Sequence, residues 1–266
     1  ESSISPNVYT LGALLNACAR NHDAKAALHW LHALEPTVKP NAVCYQAAMT
    51  ACARARDLQA ALKLLNEAER ENIVLTVVGY NVVVSAAAKL GRVDIGLRIL
   101  RNMSDPLQSK PQPDAITYGT LLSACESAGD WERLLSLSEE MMTEGLQLDG
   151  ISWTSVLHAC EQLGLADRAI SSLDRMKQDL KDVRHPEGWR DRRQTAGWKV
   201  ADQRAPLTAP DEVAYRFVIL ACGRAGSWGD AMRVLDEVEA VGQASVMSYV
   251  SAILACESCG KWKESF

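Results

Sequence analysis

The chain has 266 residues, 48% of them apolar and 23% charged, with a formal net charge of −5. That length suits one large domain, two small ones or a repeat array, and the apolar share suffices for a core. The acidic balance excludes a strongly basic nucleic-acid binder as a description of the whole chain, although summed charge hides a local basic strip. No run of 18 apolar residues predicts a membrane span. The start "ESSISPNVYT" carries neither a basic nor an apolar signal region, and the end "KWKESF" stops inside an expected helix, so the residues are expected to be part of a longer protein.

The stretch "TYGTLLSACESAGDWERLLSLSEEM" at 117–141 sets the pattern, because its Ala-Cys phrase recurs down the chain. Cys18, Cys52, Ala87, Cys125, Cys160, Cys222 and Cys256 hold one slot, separated by 34, 35, 38, 35, 62 and 34 residues. Seven residues before it stand Leu11, Tyr45, Tyr80, Tyr118, Trp153, Tyr215 and Tyr249; four after it stand His22, Arg56, Gly91, Gly129, Gly164, Gly226 and Gly260. Nine after it come Ala27, Ala61, Gly96, Leu134, Ala169, Ala231 and Ser265. A fixed period near 35 predicts a stacked helical array.

In chain order the expected repeats are 6–41, 42–76, 77–114, 115–149, 150–211, 212–245 and a partial 246–266. Each is expected to hold two helices. In the fourth, Tyr118, Leu121, Leu122 and Cys125 share one helical face, Gly129 ends the helix in a left-handed turn, and Asp130 caps the next. Asp23, Asp57 and Ser227 recur in that capping slot, and Leu134, Leu135, Leu137 and Met141 are expected to be buried. Pro40, Pro113 and Pro210 close repeats because none can continue a helix. No segment alternates with period two, so the fold class is all-α: an α-solenoid superhelix without a sheet. The third repeat carries a Pro-rich loop, "SDPLQSKPQPD". The fifth carries an insertion at 177–209 with eight Lys/Arg against five Asp/Glu, expected to be a basic loop.

Cys256 and Cys259 are spaced like half a zinc site, but no second pair completes it. Cysteine in a slot that also accepts Ala87 is expected to pack rather than ligate. His29 and His32 lie i, i+3 with no completing ligand. No phosphate loop, nucleophile elbow or catalytic carboxylate pair is present, so no enzyme, metal, cofactor or small-molecule substrate is expected. Trp131, Trp228 and Trp262 share one slot, which favours packing. Within the insertion, Trp189, Arg190, Arg192, Arg193 and Trp198 either stack on bases or anchor a protein, or pin the loop locally.

"DAITYGTLLSACESAGDWERLLSLSEEMMTEGLQLD" and "NAVCYQAAMTACARARDLQAALKLLNEAERENIVLT", with the trailing pairs Pro40-Asn41, Pro113-Asp114 and Pro210-Asp211, resemble pentatricopeptide repeats. The resemblance covers residues 6–266 apart from the insertion. It implies single-stranded RNA binding in a mitochondrion or plastid, one repeat to one base. It implies that Tyr9, Val43, Val78, Ile116, Ile151, Val213 and Met247 sandwich bases; the residues alone equally allow them to be the first buried positions of their helices. It implies that Arg20, Arg54, Lys89 and Arg224 meet phosphates, where the alternative is a cation favouring a helix C-terminus. Base reading falls to Asn81 with Asp114, which goes with uracil in the family, and to Thr154 with Asp211, which goes with guanine. Gly12 with Asn41, Gln46 with Thr76, Gly119 with Asp149 and Arg216 with Ser245 are irregular, and Val250 has no partner. Two readable pairs in six argue against a sharp sequence reader. Two functions follow: an adaptor for RNA in organelle RNA metabolism or translation, or a scaffold subunit of an organellar ribosome or other large assembly, gripping ribosomal RNA by shape or binding proteins.

Overall fold

The structure, a computed structural model, describes residues 6–34, 37–105, 110–184 and 209–260. These form thirteen α-helices and no strand. The helices fall into two compact units, Glu1–Ala128 and Gly129–Phe266. The first holds α1 (Val8–Arg20), α2 (Ala24–Leu34), α3 (Ala42–Arg54), α4 (Leu58–Arg70), α5 (Val77–Lys89), α6 (Val93–Ser104) and α7 (Ala115–Ala128). The second holds α8 (Trp131–Thr143), α9 (Gly150–Leu163), α10 (Ala166–Arg184), α11 (Glu212–Arg224), α12 (Trp228–Val241) and α13 (Val246–Ser258).

Local chemistry starts and stops these helices. Asn7, Asn41, Asp149 and Asp211 accept from backbone N–H groups in the first turns of α1, α3, α9 and α11, satisfying donors the helix itself cannot. The second helices α2, α4 and α8 are capped by Asp23, Asp57 and Asp130. Ser227 departs from this expectation: its side chain makes no capping bond, and its carbonyl instead accepts from Asp230 N at 3.1 Å. The slot four after the cysteine is left-handed at every repeat, with φ between 57° and 80° at His22, Arg56, Gly91, Gly129, Gly164, Gly226 and Gly260. At His22, Arg56, Gly91, Gly164 and Gly226 the turn is closed by a bond from the next residue's N–H back to the carbonyl at the cysteine slot, as from Asp57 to Cys52 and from Arg92 to Ala87.

Within each unit the first helices are successive neighbours, α1 on α3 on α5 on α7 and α9 on α11 on α13, with the second helices packed beside them. The repeated slots make the core. Cys52, Ala87, Cys125, Cys160, Cys222 and Cys256 are buried, and Cys18 is half-buried. Tyr45, Tyr80, Tyr118, Trp153 and Tyr215 are buried beside them. Three of the tyrosines reach a carboxylate at the edge of the core: Tyr45 Oη donates to Glu67 (2.9 Å) and Glu71 (3.2 Å), Tyr80 Oη to Glu69 (3.1 Å), and Tyr215 Oη to Glu237 (3.4 Å). Burial and these carboxylates push all three phenols up, Tyr215 to about 12. Trp153 takes the same slot, but its buried indole N–H has no hydrogen-bond partner.

The expected loop at 177–209 begins later than its composition suggests, because α10 runs on to Arg184. Residues 177–184, "KQDLKDVR", contain no Gly or Pro, and long charged side chains tolerate a helix well. Lys177 also ties α10 to its neighbour, with Nζ 2.5 Å from Glu237 on α12 and 3.4 Å from Asp174.

Candidate nucleic-acid interface

Each first helix carries a stripe of positions at i, i+3, i+7 and i+11, which an α-helix places on one face along about 16 Å. On α3 these are Val43, Gln46, Thr50 and Arg54; on α5 they are Val78, Asn81, Ser85 and Lys89. An apolar residue stands at the N-terminal end; the next position is polar on α3, α5, α9 and α11 but glycine on α1 and α7 and valine on α13; a cation stands in the last turn of α1, α3, α5 and α11.

The apolar end is exposed. Tyr9 is 87% accessible, Val43 60%, Val78 55%, Ile116 56%, Ile151 76% and Met247 47%, while Val213 is half-buried. Neighbouring residues of the same helices, Cys44 and Tyr45 among them, are buried. These residues are therefore not the first buried positions of their helices. They form a repeated row of exposed apolar side chains rather than single scattered ones.

The polar positions divide sharply. Asn81 on α5 and Asp114, just before α7, meet directly: Asn81 Nδ2 donates to Asp114 Oδ1 at 3.0 Å. Thr154 and Asp211 do not: Thr154 Oγ1 donates to the Gly150 carbonyl at 2.8 Å, and Asp211 Oδ1 accepts from Ala214 N at 2.9 Å. Asn41 and Asp149 likewise cap their helices, accepting from Cys44 N at 3.1 Å and Ser152 N at 2.7 Å. Gln46 is half-buried, and Thr76 is exposed at the start of α5 without a capping bond. Arg216 lies over the Phe217 ring, 5.7 Å from its centroid. Ser245 caps α13 and donates to the Glu212 carboxylate. Gly12 faces open space, since an added Cβ would meet no atom within 4 Å.

The four cations also differ. Arg20 and Lys89 are exposed. Arg54 Nη1 donates to the Ala19 carbonyl of α1 at 3.2 Å, and Arg224 Nη1 to the Gln162 carbonyl of α9 at 3.3 Å. Ser258, in the same slot, donates to the Gly223 carbonyl at 2.9 Å. At these three positions the slot ties one first helix to carbonyls in the last turn of the preceding one. Arg224 is held further by an ion pair with Glu161 at 2.6 Å, whose carboxylate is almost fully buried.

Two features escaped the sequence. Thr117 joins Asn81 and Asp114; the spacing Asp-x-x-Thr at 114–117 is the signal that a capping box leaves. In the second unit, Trp131, His158 and Phe217 form a ladder of rings with centroids 4.9 and 4.7 Å apart, the latter pair stacked at 14°. No periodicity announces it. Trp189, Arg190, Arg192, Arg193 and Trp198 lie outside the described residues. Cys256 is buried, Cys259 Sγ donates to the Gly223 carbonyl at 3.6 Å, and neither is in a disulfide. His29 and His32 are exposed. Among the described residues no group of three His, Cys, Asp or Glu is placed to hold a metal ion, and no helix is long and apolar enough to cross a membrane.

No curated protein matches the sequence. Among solved structures, pentatricopeptide repeat protein PPR10 in complex with an 18-nt psaJ RNA element is similar at a TM-score of 0.57 and 21% identity over 99% of this chain, which spans 34% of that one. The pentatricopeptide domain of Arabidopsis thaliana protein-only RNase P 1, in complex with tRNA, is similar at a TM-score of 0.57 and 15% identity, over 65% of this chain and 90% of that one. Nuclear proteinaceous RNase P 2 from the same plant gives 0.56 and 16%, over 64% and 38%. At these identities the likeness speaks for the fold. The family model for the pentacotripeptide-repeat region of PRORP matches residues 3–189, and that for the PPR repeat matches 213–242. With the period, the left-handed turns and the packed cysteine slots, these matches show that the chain belongs to the pentatricopeptide-repeat family.

Proposed function

We propose that this chain binds single-stranded RNA through the exposed stripes of its first helices, as an adaptor in organelle RNA metabolism or translation. The observation that carries this reading is the in-register exposure of Tyr9, Val43, Val78, Ile116, Ile151 and Met247. Flat nucleobases are the partners such side chains can grip without regard to sequence. Polar positions next to them supply base contacts, and Arg20 and Lys89 supply phosphate contacts. Arg54 keeps most of its five N–H donors for the same use. Arg224 contributes less, because its charge is already matched by Glu161. With side chains missing at Gly12 and Gly119 and the Thr154 hydroxyl turned to its own helix's Gly150 carbonyl, recognition rests more on stacking and phosphate than on sequence.

The test uses a fluorescent random-sequence 20-nt RNA and a salt titration. Replacing Val43, Val78 and Ile116 together by Ser removes three apolar side chains that bases would cover, at about 1 kcal/mol or more each, a loss of at least about 100-fold in affinity. Changing Arg20 and Lys89 to Glu lowers the slope of log K against log salt by about 1.4, at roughly 0.7 per phosphate. Unchanged affinity and slope in both variants refute the reading.

A scaffold role in an organellar ribosome or similar assembly is the second reading. It is favoured by α13, where Val246, Met247, Tyr249, Val250, Ile253 and Leu254 are all exposed. It predicts that the chain stays with a defined particle after nuclease treatment.

A further inference from the structure

We propose that Thr117 is a positioning residue that pre-organises one base-reading module, built from Asn81 and Asp114, and that this module gives the chain its main point of base preference. The proposal rests on the RNA-binding reading above and deepens it. Thr117 belongs to the next repeat and is fully buried, yet its hydroxyl reaches back across 36 residues to Asn81.

The hydrogen bonds fix where each proton lies. Thr117 Oγ1 is 2.6 Å from Asn81 Oδ1 and 2.9 Å from Asp114 Oδ1. A hydroxyl donates one proton. Asp114 Oδ1 already accepts from Thr117 N at 2.9 Å and from Asn81 Nδ2 at 3.0 Å. Asn81 Oδ1 has no other donor among the described residues, so the hydroxyl proton goes there. Asp114 N–H in turn donates to Thr117 Oγ1 at 3.2 Å, completing a reciprocal cap at the start of α7.

The consequence concerns the amide. A free asparagine amide can flip and offer either a carbonyl or an NH2 group to a ligand. Here the carbonyl is held by Thr117 and the NH2 by Asp114, so the amide has one orientation. One N–H of Asn81 and one carboxylate oxygen of Asp114 remain for a base: a donor beside an acceptor. Holding both side chains before binding removes rotamer freedom that a base would otherwise have to freeze.

No other module has this arrangement among the described residues. Where Thr117 stands, the other repeats have Thr10, Cys44, Gly79, Ser152, Ala214 and Ser248; Thr10 makes the same reciprocal cap with Asn7, but no earlier repeat among the described residues brings it a reading position. The reading positions of the repeats before Cys44 and Ser152 are glycines, Gly12 and Gly119, and Gly79 and Ala214 carry no hydroxyl. Ser248 accepts from Ser245 N at 3.3 Å, as the cap of α13 does, but the reading position there is Arg216, which lies on Phe217.

The experiment selects RNA from a random-sequence 20-nt pool with four proteins: wild type, Thr117→Val, Thr117→Ser and Asn81→Ala. Thr117→Val keeps the shape and deletes the hydroxyl; Thr117→Ser keeps the hydroxyl. The readout is base preference at each nucleotide, which a loss of folding stability alone does not redistribute. The expected result is one nucleotide whose preference disappears in Asn81→Ala, falls at least about 5-fold in Thr117→Val, and survives in Thr117→Ser. If Thr117→Val keeps that preference in full while Asn81→Ala loses it, the positioning role is wrong and RNA reading by Asn81 stands. If Asn81→Ala selects the same bases as wild type, or wild type selects none, base reading by this module fails and the role of Thr117 fails with it.

Discussion

Gly223, next to the buried cysteine of α11, sits where α11 and α13 approach most tightly. A Cβ built there would lie 2.6 Å from Ala255 Cα, 2.7 Å from Ala255 Cβ and 3.3 Å from Ser258 Oγ. Carbon atoms in contact prefer about 3.5–4.0 Å, so the two helices must separate by about 1 Å, because neither Ala255 Cα nor its Cβ can rotate aside. Separation also stretches the bond from Ser258 Oγ to the Gly223 carbonyl, now 2.9 Å. Overpacking of this kind costs about 1–3 kcal/mol. Alanine returns up to about 1 kcal/mol in helix propensity. Gly223→Ala is therefore expected to lose a net ~1–2 kcal/mol. Gly229, in the first turn of α12, is the control: a Cβ there meets nothing within 4 Å, so Gly229→Ala gains a few tenths, up to about 1 kcal/mol. Urea unfolding followed by far-ultraviolet circular dichroism reads both as shifts in midpoint. Opposite shifts are the expected result, with faster amide exchange in α13 for Gly223→Ala. A Gly223→Ala midpoint equal to or above wild type refutes the close-approach argument.

Arg56 holds the left-handed slot with φ +60°, where a Cβ is costly, and Arg56→Gly is expected to raise stability by about 0.5–1 kcal/mol in the same assay. The same change at Asp57, one residue on, removes the cap of α4 and lowers stability. Thiol chemistry provides a third check. At neutral pH a maleimide is expected to label half-buried Cys18 and Cys259 well ahead of the six buried cysteines, and all eight in denaturant. Burial pushes Cys52, Cys160 and Cys222 up to about 11 from 9.0. A pKa raised by folding stabilises fully below the unfolded value and is lost as pH climbs through the folded one. Stability is therefore expected to fall between about pH 9 and 11, with the raised Tyr45 and Tyr80 adding to the loss above 10. A flat denaturation midpoint across that window, or equal labelling of Cys18 and Cys52, contradicts the burial assigned to these slots.

Much of the site was legible because it is periodic. The positions of Val43, Val78 and Ile116 follow from counting back from the aromatic slot. Their exposure does not, because an apolar residue two before a buried tyrosine fits a core as well as a surface. Arg54, Arg224 and Ser258 share one slot in the sequence, yet their bonds to the preceding helix depend on how far apart two helices lie. Thr154 and Asp211 look like a reading pair in a string of letters, but the Thr154 hydroxyl donates to the carbonyl four residues back on its own helix. The insertion misled at its near end because its average composition, rich in Gly, Pro and Arg, obscured its first two turns, which contain neither Gly nor Pro.

By itself, the sequence determined the helices, their stops and the register of the repeat. Those features are set by local chemistry: an Asn or Asp accepting from the first turn, a glycine where φ is positive, a small or aromatic side chain every 35 or so residues. The tertiary structure alone decided which of the repeated positions work together. It left the apolar ends of the stripes uncovered, drew Arg224 onto a buried Glu161, and brought Thr117 of one repeat onto Asn81 of another. The physical reason is that periodicity specifies the face a residue shares, whereas burial and hydrogen bonding depend on what the neighbouring helix places opposite it.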